Sequence, residues 1–540
     1  MGKQLHESAF TVTHIMVATT VEEPSTALAS DDAPARRPGR LLDPLAVAIT
    51  AGLIGAVAAG RPSLWFDESA TISASASRSL PELWRLLSHI DAVHGLYYLL
   101  MHGWFCLVPP TEFWSRVPSC VATGVAAAGV VVFSKQFLPR RTAVCAGLVF
   151  AILPRVTWAA VEARSYAFTA AAAVWVTVLL VTAVRRNRWW TWVLYSLALI
   201  LSIVLNVYLA LLVPTYAIVT PVIRRHRSVV VWWAVSSAVA VGAVTPFMLF
   251  AHGQSFQVAW IHSLTWHSLL DVLLHQYFDN SVPFAILAAV ILVTALAIRF
   301  TGRWHSVGDS RRVLVICGAW IAVPTAISLI YSAISDPFYY PRYLFFTTPA
   351  MAIMLAVCIV GIARRPRWIA LILVVLAVAA VPNYVLSQRH RYAKEGWDYS
   401  DVADVITAQA APGDCLLVDN TVGWLPGPVR ALLAARPAAF RPLIDVGRGV
   451  PAAKRETLWD GHIAAWLIVG RLYRCTTLWT ISTHDTKLPE HRAGRSLPPG
   501  GVLAHTPAYQ VPQNVGFRIV EHWQFHRTQL VKSIRCPDQA

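Results

Sequence analysis

The sequence predicts a helical protein that crosses a membrane many times and carries a smaller α/β domain at its C-terminal end. Of its 540 residues, 56% are hydrophobic and only 14% are charged, whereas soluble domains carry about 25% charged residues. The apolar residues form runs of about twenty, the length that a helix needs to cross a bilayer. The basic residues that give the net charge of +16 fall in short clusters between these runs. That spacing is typical of cytoplasmic loops and not of a basic face that binds nucleic acid, so no nucleic-acid partner is expected.

The N-terminal segment, residues 1–40, is polar and rich in small residues. It predicts a disordered tail on the cytoplasmic side. Met16 is a second candidate start, because nothing before it has the pattern of a folded element. We expect no cleavable signal sequence, since the first apolar run is long and comes late.

About eleven apolar runs follow as candidate transmembrane spans. They are residues 43–60, 116–135, 141–158, 166–184, 189–205, 207–223, 229–251, 282–300, 312–334, 343–363 and 368–386. Basic clusters such as residues 185–188 and 364–367 occupy every second loop. The N-terminus is therefore expected inside and the C-terminus outside a plasma membrane. Residues 94–108 are apolar but only about fifteen residues long, which predicts a helix along the outer surface.

Beyond residue 386 the sequence becomes mixed and polar, with more Pro and Gly. This change predicts an extracytoplasmic α/β domain of about 140 residues. Residues 400–410 have a helical pattern, and strand patterns cover residues 414–419, 464–470, 477–481 and 517–534. The predicted division is a tail at 1–40, a membrane domain at 41–386 with an outer loop at 61–115, and the C-terminal domain at 387–540.

The eight cysteines fall into two groups. Those in or beside apolar runs are expected to be packing residues: Cys106, Cys120, Cys145, Cys317 and Cys358. In the polar C-terminal region, Cys475 and Cys536 are a candidate disulfide, but Cys415 leaves the pairing open. No spacing of cysteine and histidine indicates a zinc site.

An acidic pair, Asp67-Glu68 in Trp65-Phe-Asp-Glu68, directly follows the first apolar run. Carboxylates at a membrane edge are rarely placed there without a function. With about eleven spans, this pair shares the outer face with His94, Glu162-Ala-Arg164 and Tyr339–Arg342. The polar residues of several edges are therefore expected to meet at one site.

These motifs and their order resemble the GT-C superfamily of glycosyltransferases. They are Trp65-Phe-Asp-Glu68 after the first span, His94 followed by Leu96-Tyr-Tyr-Leu-Leu100, Glu162-Ala-Arg-Ser-Tyr166 and Pro341-Arg-Tyr-Leu344. Within the superfamily, residues 43 to about 400 are similar to polyprenyl-phosphate-sugar-dependent enzymes related to protein mannosyltransferases and lipid A aminoarabinose transferase. The Ala/Val/Arg-rich composition resembles that of actinobacterial, in particular mycobacterial, members. The resemblance implies a lipid-monophosphate sugar as donor and catalysis at the outer membrane face.

Asp67 is the expected catalytic base, because sugar transfer needs a carboxylate that takes the acceptor hydroxyl's proton. A single displacement inverts the anomeric centre, and the family resemblance implies this route. Glu68 is expected beside it as a metal ligand or an orienting group, or as a solvated neighbour. Since a divalent ion takes several oxygen ligands and the candidates are only Asp67, Glu68, Asp91 and Glu162, no obligatory metal or other cofactor is expected.

The donor phosphate needs cations that stabilise it as it leaves. Arg342 is the best candidate because a guanidinium binds phosphate through paired donors; the alternative is an interfacial anchor. Arg164, Lys394 and His94 are further candidates. Their alternative roles are an ion pair with Glu162 for Arg164, an anchor at the membrane interface for Lys394 and a cap of the surface helix for His94. Many relatives have His-Pro-Pro where this chain has His94-Gly-Leu96, so the start of that helix is expected to be less rigid.

The remaining candidates are substrate-binding residues on the same face. Aromatic and polar side chains line sugar sites, although Tyr and Trp are also enriched at membrane interfaces. The set is Glu162, Tyr97, Tyr98, Tyr166, Tyr343, Gln257 and Trp260.

The sequence therefore predicts a membrane mannosyltransferase that uses polyprenyl-phosphomannose and a cell-wall glycan or lipoglycan acceptor. An arabinofuranosyltransferase using polyprenyl-phospho-arabinose is the nearest alternative. A transporter or flippase is a second, but a carrier places its polar groups near the midplane, whereas here they lie at one face. A non-catalytic assembly protein is a third, and Asp67 would then have no chemical task.

Overall fold

A computed structural model describes residues 39–302, 307–419 and 426–536. The predicted tail and the choice between Met1 and Met16 lie outside these residues, except that the first helix already begins at Gly39. Residues Leu41–Ala540 form one compact unit, and the predicted domain boundary at residue 386 stays a prediction.

Helices make up the chain as far as residue 409. They are α1 Gly39–Ala56, α2 Phe66–Ser75, α3 Leu80–His89, α4 Gly95–Phe105, α5 Glu112–Lys135, α6 Arg140–Ile152, α7 Pro154–Ala160, α8 Tyr166–Arg186, α9 Trp189–Leu205, α10 Leu212–Ile223, α11 Arg227–His252, α12 His267–Leu270, α13 Gln276–Phe278, α14 Val282–Phe300, α15 Ser310–Ile334, α16 Thr348–Ile362, α17 Pro366–Pro382 and α18 Tyr399–Gln409. Tight turns of 3₁₀ helix precede α4, α10 and α16, and wide π-helical turns at Asp271–His275 and Asn383–Gln388 adjoin α13 and α17.

Within the described residues, seven helices are long and apolar enough to cross a membrane, or eight if the bent pair α6–α7 is one span. The pair bends by 61° at Pro154, which lacks the N–H that would continue α6. Three shorter apolar helices, at Leu41–Ala56, Trp189–Leu205 and Val207–Ile223, lie where other spans were predicted. The multi-pass architecture is thus present, while the expected count of about eleven spans stays a prediction.

The segment between α1 and α5 folds into three short helices for local reasons. The first turn of α2 contains Asp67 and Glu68, whose charges favour a helix N-terminus. Ser79 and Glu82 form a capping box that starts α3. Helix α4 has 11 residues, a length of about 16 Å that cannot cross a bilayer core of about 30 Å.

The C-terminal part contains a six-stranded sheet in the order β2-β1-β3-β6-β5-β4. Strand β1 pairs in parallel with β2 and β3, whereas the pairs β3–β6, β6–β5 and β5–β4 are antiparallel. The strands are β1 Cys415–Val418, β2 Ile444–Asp445, β3 Thr477–Thr483, β4 His491–Ala493, β5 Phe517–Gln524 and β6 Thr528–Arg535, and the helices are α19 Pro426–Leu433, α20 Pro437–Phe440, α21 Ala452–Arg455, α22 Val469–Leu472, α23 Gly500–Ala504 and α24 Pro507–Asn514.

The predicted strand at residues 464–470 is wrong. A 3₁₀ turn at Ala465–Leu467 and helix α22 occupy this stretch. Trp466 and Leu467 are 64% and 70% exposed, so the apolar run that indicated a buried strand is largely at the surface.

The disulfide joins Cys415 to Cys475, which decides the pairing that the sequence left open; the candidate pair of Cys475 with Cys536 does not form. Strand β1 pairs with β3 so that Cys415 lies opposite Leu478. Cys475 is in the turn just before β3, and this pairing places its Cα 5.9 Å from that of Cys415. Cys536 is free and exposed beyond β6. The predicted packing cysteines are buried except Cys106, which is exposed.

One hydrophobic cluster connects the loop before α2 to the sheet. It contains Trp65 and Ile72 from the α2 region together with Trp397, Val418 and Trp479. The helix that carries Asp67 is therefore packed directly on the C-terminal part of the chain.

Candidate functional site

Asp67 and Arg342, the expected base and the expected phosphate-binding cation, are in direct contact. Arg342 lies in the 3₁₀ turn Pro341–Thr347 before α16, and its Nη1 is 3.1 Å from Asp67 Oδ2. Both side chains keep a little exposure, 12% for Arg342 and 15% for Asp67. Asp67 Oδ2 accepts no hydrogen bond, so this contact is a charge pair that leaves the oxygen free to accept a proton.

Aromatic rings surround the Arg342 guanidinium. Its central carbon is 5.0 Å from the ring of Tyr340, 5.4 Å from that of Trp260 and 5.6 Å from that of Trp65. Tyr343 and Tyr166 lie slightly farther away, at 5.8 and 6.0 Å. Cation–π attraction acts over such distances and positions the guanidinium without using its N–H groups; Arg342 Nε has no hydrogen-bond partner.

Glu162 and Lys394 form a second, fully buried pair. Lys394 Nζ donates to Glu162 Oε1, and the indole N–H of Trp65 donates to Glu162 Oε2 at 3.1 Å. Burial raises the pKa of Glu162 and lowers the pKa of Lys394, since it disfavours the charged form of each. Burial therefore favours the neutral form of each group, and an anion beside Lys394 would favour its ammonium form.

The turn that carries Lys394 is held by the last hairpin of the sheet. Asp398 Oδ2 accepts the backbone N–H groups of Arg527 at 2.6 Å and Thr528 at 2.9 Å. Gly396 has a φ of +80°, and a Cβ there would lie 2.6 Å from the His526 ring. Only glycine fits this position without strain.

A cavity of about 180 Å³ lies between the two pairs, with Arg342, Lys394, Glu162 and Trp65 on its wall. It is smaller than the roughly 300–1,000 Å³ of a typical small-molecule site, so its size suits a phosphate group rather than a whole lipid-linked sugar. Lys394 and Arg342 thus face the same space, which the sequence pattern alone did not establish.

Arg155 is a third cation on this cavity and was not predicted. It lies in α7, and its Nη1 is 3.0 Å from Asp279 Oδ1. The wide turn Asp271–His275 adds both of its end residues to the cavity wall. An arginine inside an apolar run is the sequence signal that marks Arg155, whereas the wide turn has no evident signal.

Glu68 faces away from the cavity. Its carboxylate accepts from Arg116 Nε at 2.8 Å and Nη2 at 2.6 Å, and also from the backbone N–H of Ala163 at 2.9 Å. Both Glu68 and Arg116 side chains have 0% exposure, so Glu68 is not a solvated neighbour. These contacts favour the orienting role, in which Glu68 fixes α2 against the loop before α8. Arg116 was not singled out, because it is the first residue of a predicted span.

His94 and Arg164 belong to a chain of polar contacts beside Asp67. Arg164 approaches His94 Nε2 at 3.0 Å, the Tyr98 hydroxyl at 3.2 Å and the Asp67 carbonyl at 3.4 Å, and Tyr98 donates to Asp91 at 2.7 Å. Burial and the neighbouring cations lower the pKa of His94 well below 6.5. A neutral His94 accepts from Arg164 through Nε2 and carries its proton on Nδ1. The structure thus places both residues next to Asp67 and away from the cavity wall.

Two other candidates serve the loops around the site. The Tyr97 ring is buried and packs edge-on against Phe168, with 5.6 Å between centroids. In the amide orientation that satisfies both of its polar atoms, Gln257 donates to the Asp91 carboxylate and accepts the Asp91 N–H at 2.8 Å. Their expected roles in substrate binding stay predictions, and these contacts favour structural roles.

No cluster of three or more His, Cys, Asp or Glu side chains that could hold a metal ion occurs in the described part of the chain. The expectation that no metal is obligatory stays a prediction.

Comparisons with known proteins show the fold. No protein-family model and no curated protein matches the chain. The crystal structure of ArnT from Cupriavidus metallidurans in the apo state matches with a TM-score of 0.53 at 14% identity, over 92% of this chain and 98% of that one. ArnT bound to undecaprenyl phosphate matches at 0.47, with the same identity and coverage. The archaeal oligosaccharyltransferase AglB from Archaeoglobus fulgidus, in complex with an inhibitory peptide and a dolichol-phosphate, matches at 0.42 and 12% identity, over 81% of this chain and 69% of that one.

The likeness to apo ArnT extends over nearly the whole of both chains. It shows that the two chains share a fold over this length. At 14% identity the likeness concerns the fold alone.

Proposed function

We propose that the protein is a glycosyltransferase that moves a sugar from a polyprenyl-phosphate donor to a glycan hydroxyl, with Asp67 as the base. The contact between Asp67 and Arg342, at the edge of a cavity that Lys394 also lines, is the observation that carries this proposal. A base and two phosphate-binding cations lie within reach of one sugar phosphate.

The reaction follows from these positions. The donor phosphate binds in the cavity between Arg342 and Lys394, where it gives both cations a stronger anionic partner. Arg342 then neutralises the phosphate charge that grows as the anomeric C–O bond breaks. Asp67 Oδ2 takes the proton of the acceptor hydroxyl, whose oxygen forms the new bond to the anomeric carbon with inversion.

Arg164 and Glu68 act as positioning residues in this scheme. Arg164 donates to the Asp67 carbonyl, and Glu68, the next residue of α2, fixes the helix by binding Arg116. The rings of Trp260, Tyr343 and Tyr166 keep Arg342 in place and offer faces on which the donor sugar packs.

The sugar and acceptor are proposed from the motif resemblance. Mannose from polyprenyl-phosphomannose is the first choice, with a cell-wall glycan or lipoglycan of an actinobacterium, in particular a mycobacterium, as acceptor. Arabinofuranose from polyprenyl-phospho-arabinose is the alternative.

The proposed location is the plasma membrane, with the N-terminus in the cytoplasm and the C-terminal part outside. The disulfide between Cys415 and Cys475 supports this orientation, since disulfides persist in oxidising compartments. The carboxylates on the cavity wall already have partners, since Glu162 binds Lys394 and Trp65 and Asp271 pairs with His275, so we propose that catalysis requires no metal.

The test is transfer of radiolabel from polyprenyl-phosphomannose to endogenous glycan in membranes. We expect Asp67→Asn to lose at least about 100-fold in rate, the lower range for a general base. Asp336→Asn is the matched control, because Asp336 is an exposed acid in the loop after α15 and is not among the residues on the cavity wall. Label incorporation is compared at equal protein level.

Equal incorporation by wild type and Asp67→Asn would remove Asp67 from the mechanism. If wild type transfers no label from the mannose donor, the same pair of variants is assayed with polyprenyl-phospho-arabinose. Transfer from neither donor would contradict the proposed function.

A further inference from the structure

A second and larger cavity, of about 710 Å³, lies between α2 and the C-terminal part of the chain. We call it the arginine cavity. Ser73 from the end of α2 and the residues Ser77 and Arg78 form one wall, and α19, β2 and the following loop form the opposite wall. Its volume falls within the roughly 300–1,000 Å³ range of ligand sites.

Arg430 of α19 extends a buried guanidinium group to this cavity. Nε and Nη2 bind the two oxygens of Asp445, at 2.5 and 3.1 Å, which fixes the plane of the group. Nη1 is buried and has no hydrogen-bond partner, although the side chain is only 4% exposed. A buried donor without a partner destabilises the fold, and the Arg430 side chain lines the cavity, so an anion bound beside Arg430 would stabilise the protein.

Arg78 is a second buried cation on the same wall. Its guanidinium donates to the backbone carbonyls of Ser73 at 3.1 Å, Ala452 at 3.5 Å and Thr457. In the described ranges no carboxylate lies within ion-pair distance of it. Carbonyl oxygens satisfy its N–H groups, while the acids that act on its charge, Glu82 and Asp460, are not in contact with it, so its buried charge is only partly compensated.

The charges around the cavity do not balance. Among the described residues, four arginines line it, namely Arg78, Arg430, Arg441 and Arg448, against two aspartates, Asp445 and Asp460. Asp445 and Asp460 are already paired with Arg430 and Arg448. The excess of positive charge favours an anionic ligand, and planar guanidinium groups bind phosphate or carboxylate through paired donors.

The cavity also lies close to the proposed base. Ser73 on its wall and Asp67 are six residues apart on α2, which is about 9 Å along a helix axis. At 3.6 residues per turn the two positions are about 120° apart around α2, so a glycan that occupies the arginine cavity and reaches Asp67 must extend around the helix.

We propose that the arginine cavity binds an anionic substituent, a phosphate or carboxylate, of the acceptor glycan. This assignment rests on the proposed function. Arg430 is the specificity-determining residue, and Arg78 supplies further positive charge. The acceptor is therefore a glycan that carries an acidic group.

Binding to the purified full-length protein in nanodiscs tests this without relying on transfer. Mannose 6-phosphate is titrated against wild type, Arg430→Gln and Arg474→Gln, with mannose and inorganic phosphate as ligand controls. Arg474 is an exposed arginine outside the cavity. We expect mannose 6-phosphate to bind wild type more tightly than either control ligand. Arg430→Gln should weaken it about tenfold or more, the effect of losing one charge-assisted hydrogen bond, and Arg474→Gln should not.

Farnesyl phosphate distinguishes this cavity from the donor site. Its binding should depend on Arg342 and not on Arg430. If Arg430→Gln does not fold, Arg448→Gln on the rim replaces it, with an expected loss of at least about threefold in mannose 6-phosphate affinity.

Equal affinity of mannose 6-phosphate for wild type and the cavity variant would overturn the proposal, as would binding no tighter than that of inorganic phosphate. Loss of mannose 6-phosphate binding in Arg342→Gln alone would also overturn it, because the ligand would then occupy the donor site. A wild type that binds mannose 6-phosphate through Arg430 but transfers no sugar would contradict the proposed function and leave the anion site standing.

Discussion

Replacing Glu68 by Gln is expected to destabilise the protein rather than to remove a catalytic group. In the wild type Arg116 donates to both oxygens of Glu68 and to the carbonyls of Ala59 and Pro62 at 2.8 Å and Ser63 at 3.2 Å. Among the described residues, Glu68 carries the one negative charge that touches the Arg116 guanidinium, which has 0% exposure, and the substitution removes it. The three carbonyl bonds remain, so the guanidinium keeps most of its hydrogen bonds and loses its counterion.

The expected loss in the free energy of unfolding follows from measured cases of buried ion pairs. Removing one partner destabilises by about 3–5 kcal/mol, and the retained carbonyl bonds place Glu68→Gln near the lower value. A loss of about 3 kcal/mol corresponds to a fall of about 6 °C in Tm, at roughly 2 °C per kcal/mol for a large domain. Asp67→Asn, one residue earlier in α2, should lower Tm by less than Glu68→Gln does, because the Asp67–Arg342 pair keeps 15% and 12% exposure and aromatic rings also hold Arg342.

The assay is thermal unfolding of the purified protein in nanodiscs, together with sugar transfer measured at a temperature where each variant is folded. Glu490→Gln, an exposed acid in the loop before β4, is the control for the change of residue type. A Glu68→Gln protein with the wild-type Tm and no transfer would refute the reasoning and place Glu68 in the chemistry. Substituting Arg116 by Met in the Glu68→Gln background should recover part of the lost Tm, because it removes the uncompensated charge.

Three further predictions concern the donor cation, His94 and the disulfide. Arg342→Lys should raise the donor KM about tenfold or more in transfer assays, since a lysine keeps the charge but not the planar paired donors; a wild-type KM would assign Arg342 to membrane anchoring. Folding lowers the pKa of His94 from 6.5, so the unfolded chain binds a proton at this imidazole more readily than the folded protein does. The free energy of unfolding should therefore be highest above pH 6.5 and fall below it. Denaturation between pH 5 and 7 should show this slope in wild type and a smaller one in His94→Gln, and identical slopes would contradict the assignment. Cys415→Ser should destabilise by about 4 kcal/mol, from a sequence separation of 60 and loop-closure entropy, while Cys536→Ser should leave Tm unchanged; a peptide map linking Cys475 to Cys536 would show the pairing to be wrong.

Sequence patterns are informative about the site where charge interrupts apolar runs. Asp67, Glu162, Arg342 and Lys394 could each be singled out, because every one follows or precedes a run long enough to cross a bilayer. Their arrangement into two pairs could not be predicted. Which carboxylate meets which cation depends on how α2, α8 and the turn before α16 pack, and residue order contains no such information.

Residues inside predicted spans were the ones missed. Arg116 and Arg155 lie within runs whose average composition is apolar, so averaging over a window hides them. The strand predicted at 464–470 failed for a related reason, because an apolar run of seven residues has the same composition in a strand and in helical turns. The disulfide depended on the parallel pairing of β1 with β3, a contact between segments far apart in sequence.

The hydrogen bonds that Asp398 accepts from the backbone of Arg527 and Thr528 have a consequence for biosynthesis. The hairpin of β5 and β6 secures the turn that presents Lys394, so the ribosome must synthesise the chain as far as Thr528 before this turn has its support. A nascent chain whose membrane helices are already inserted would lack that support. Truncation before Arg527 should therefore reduce transfer even where the membrane helices remain intact.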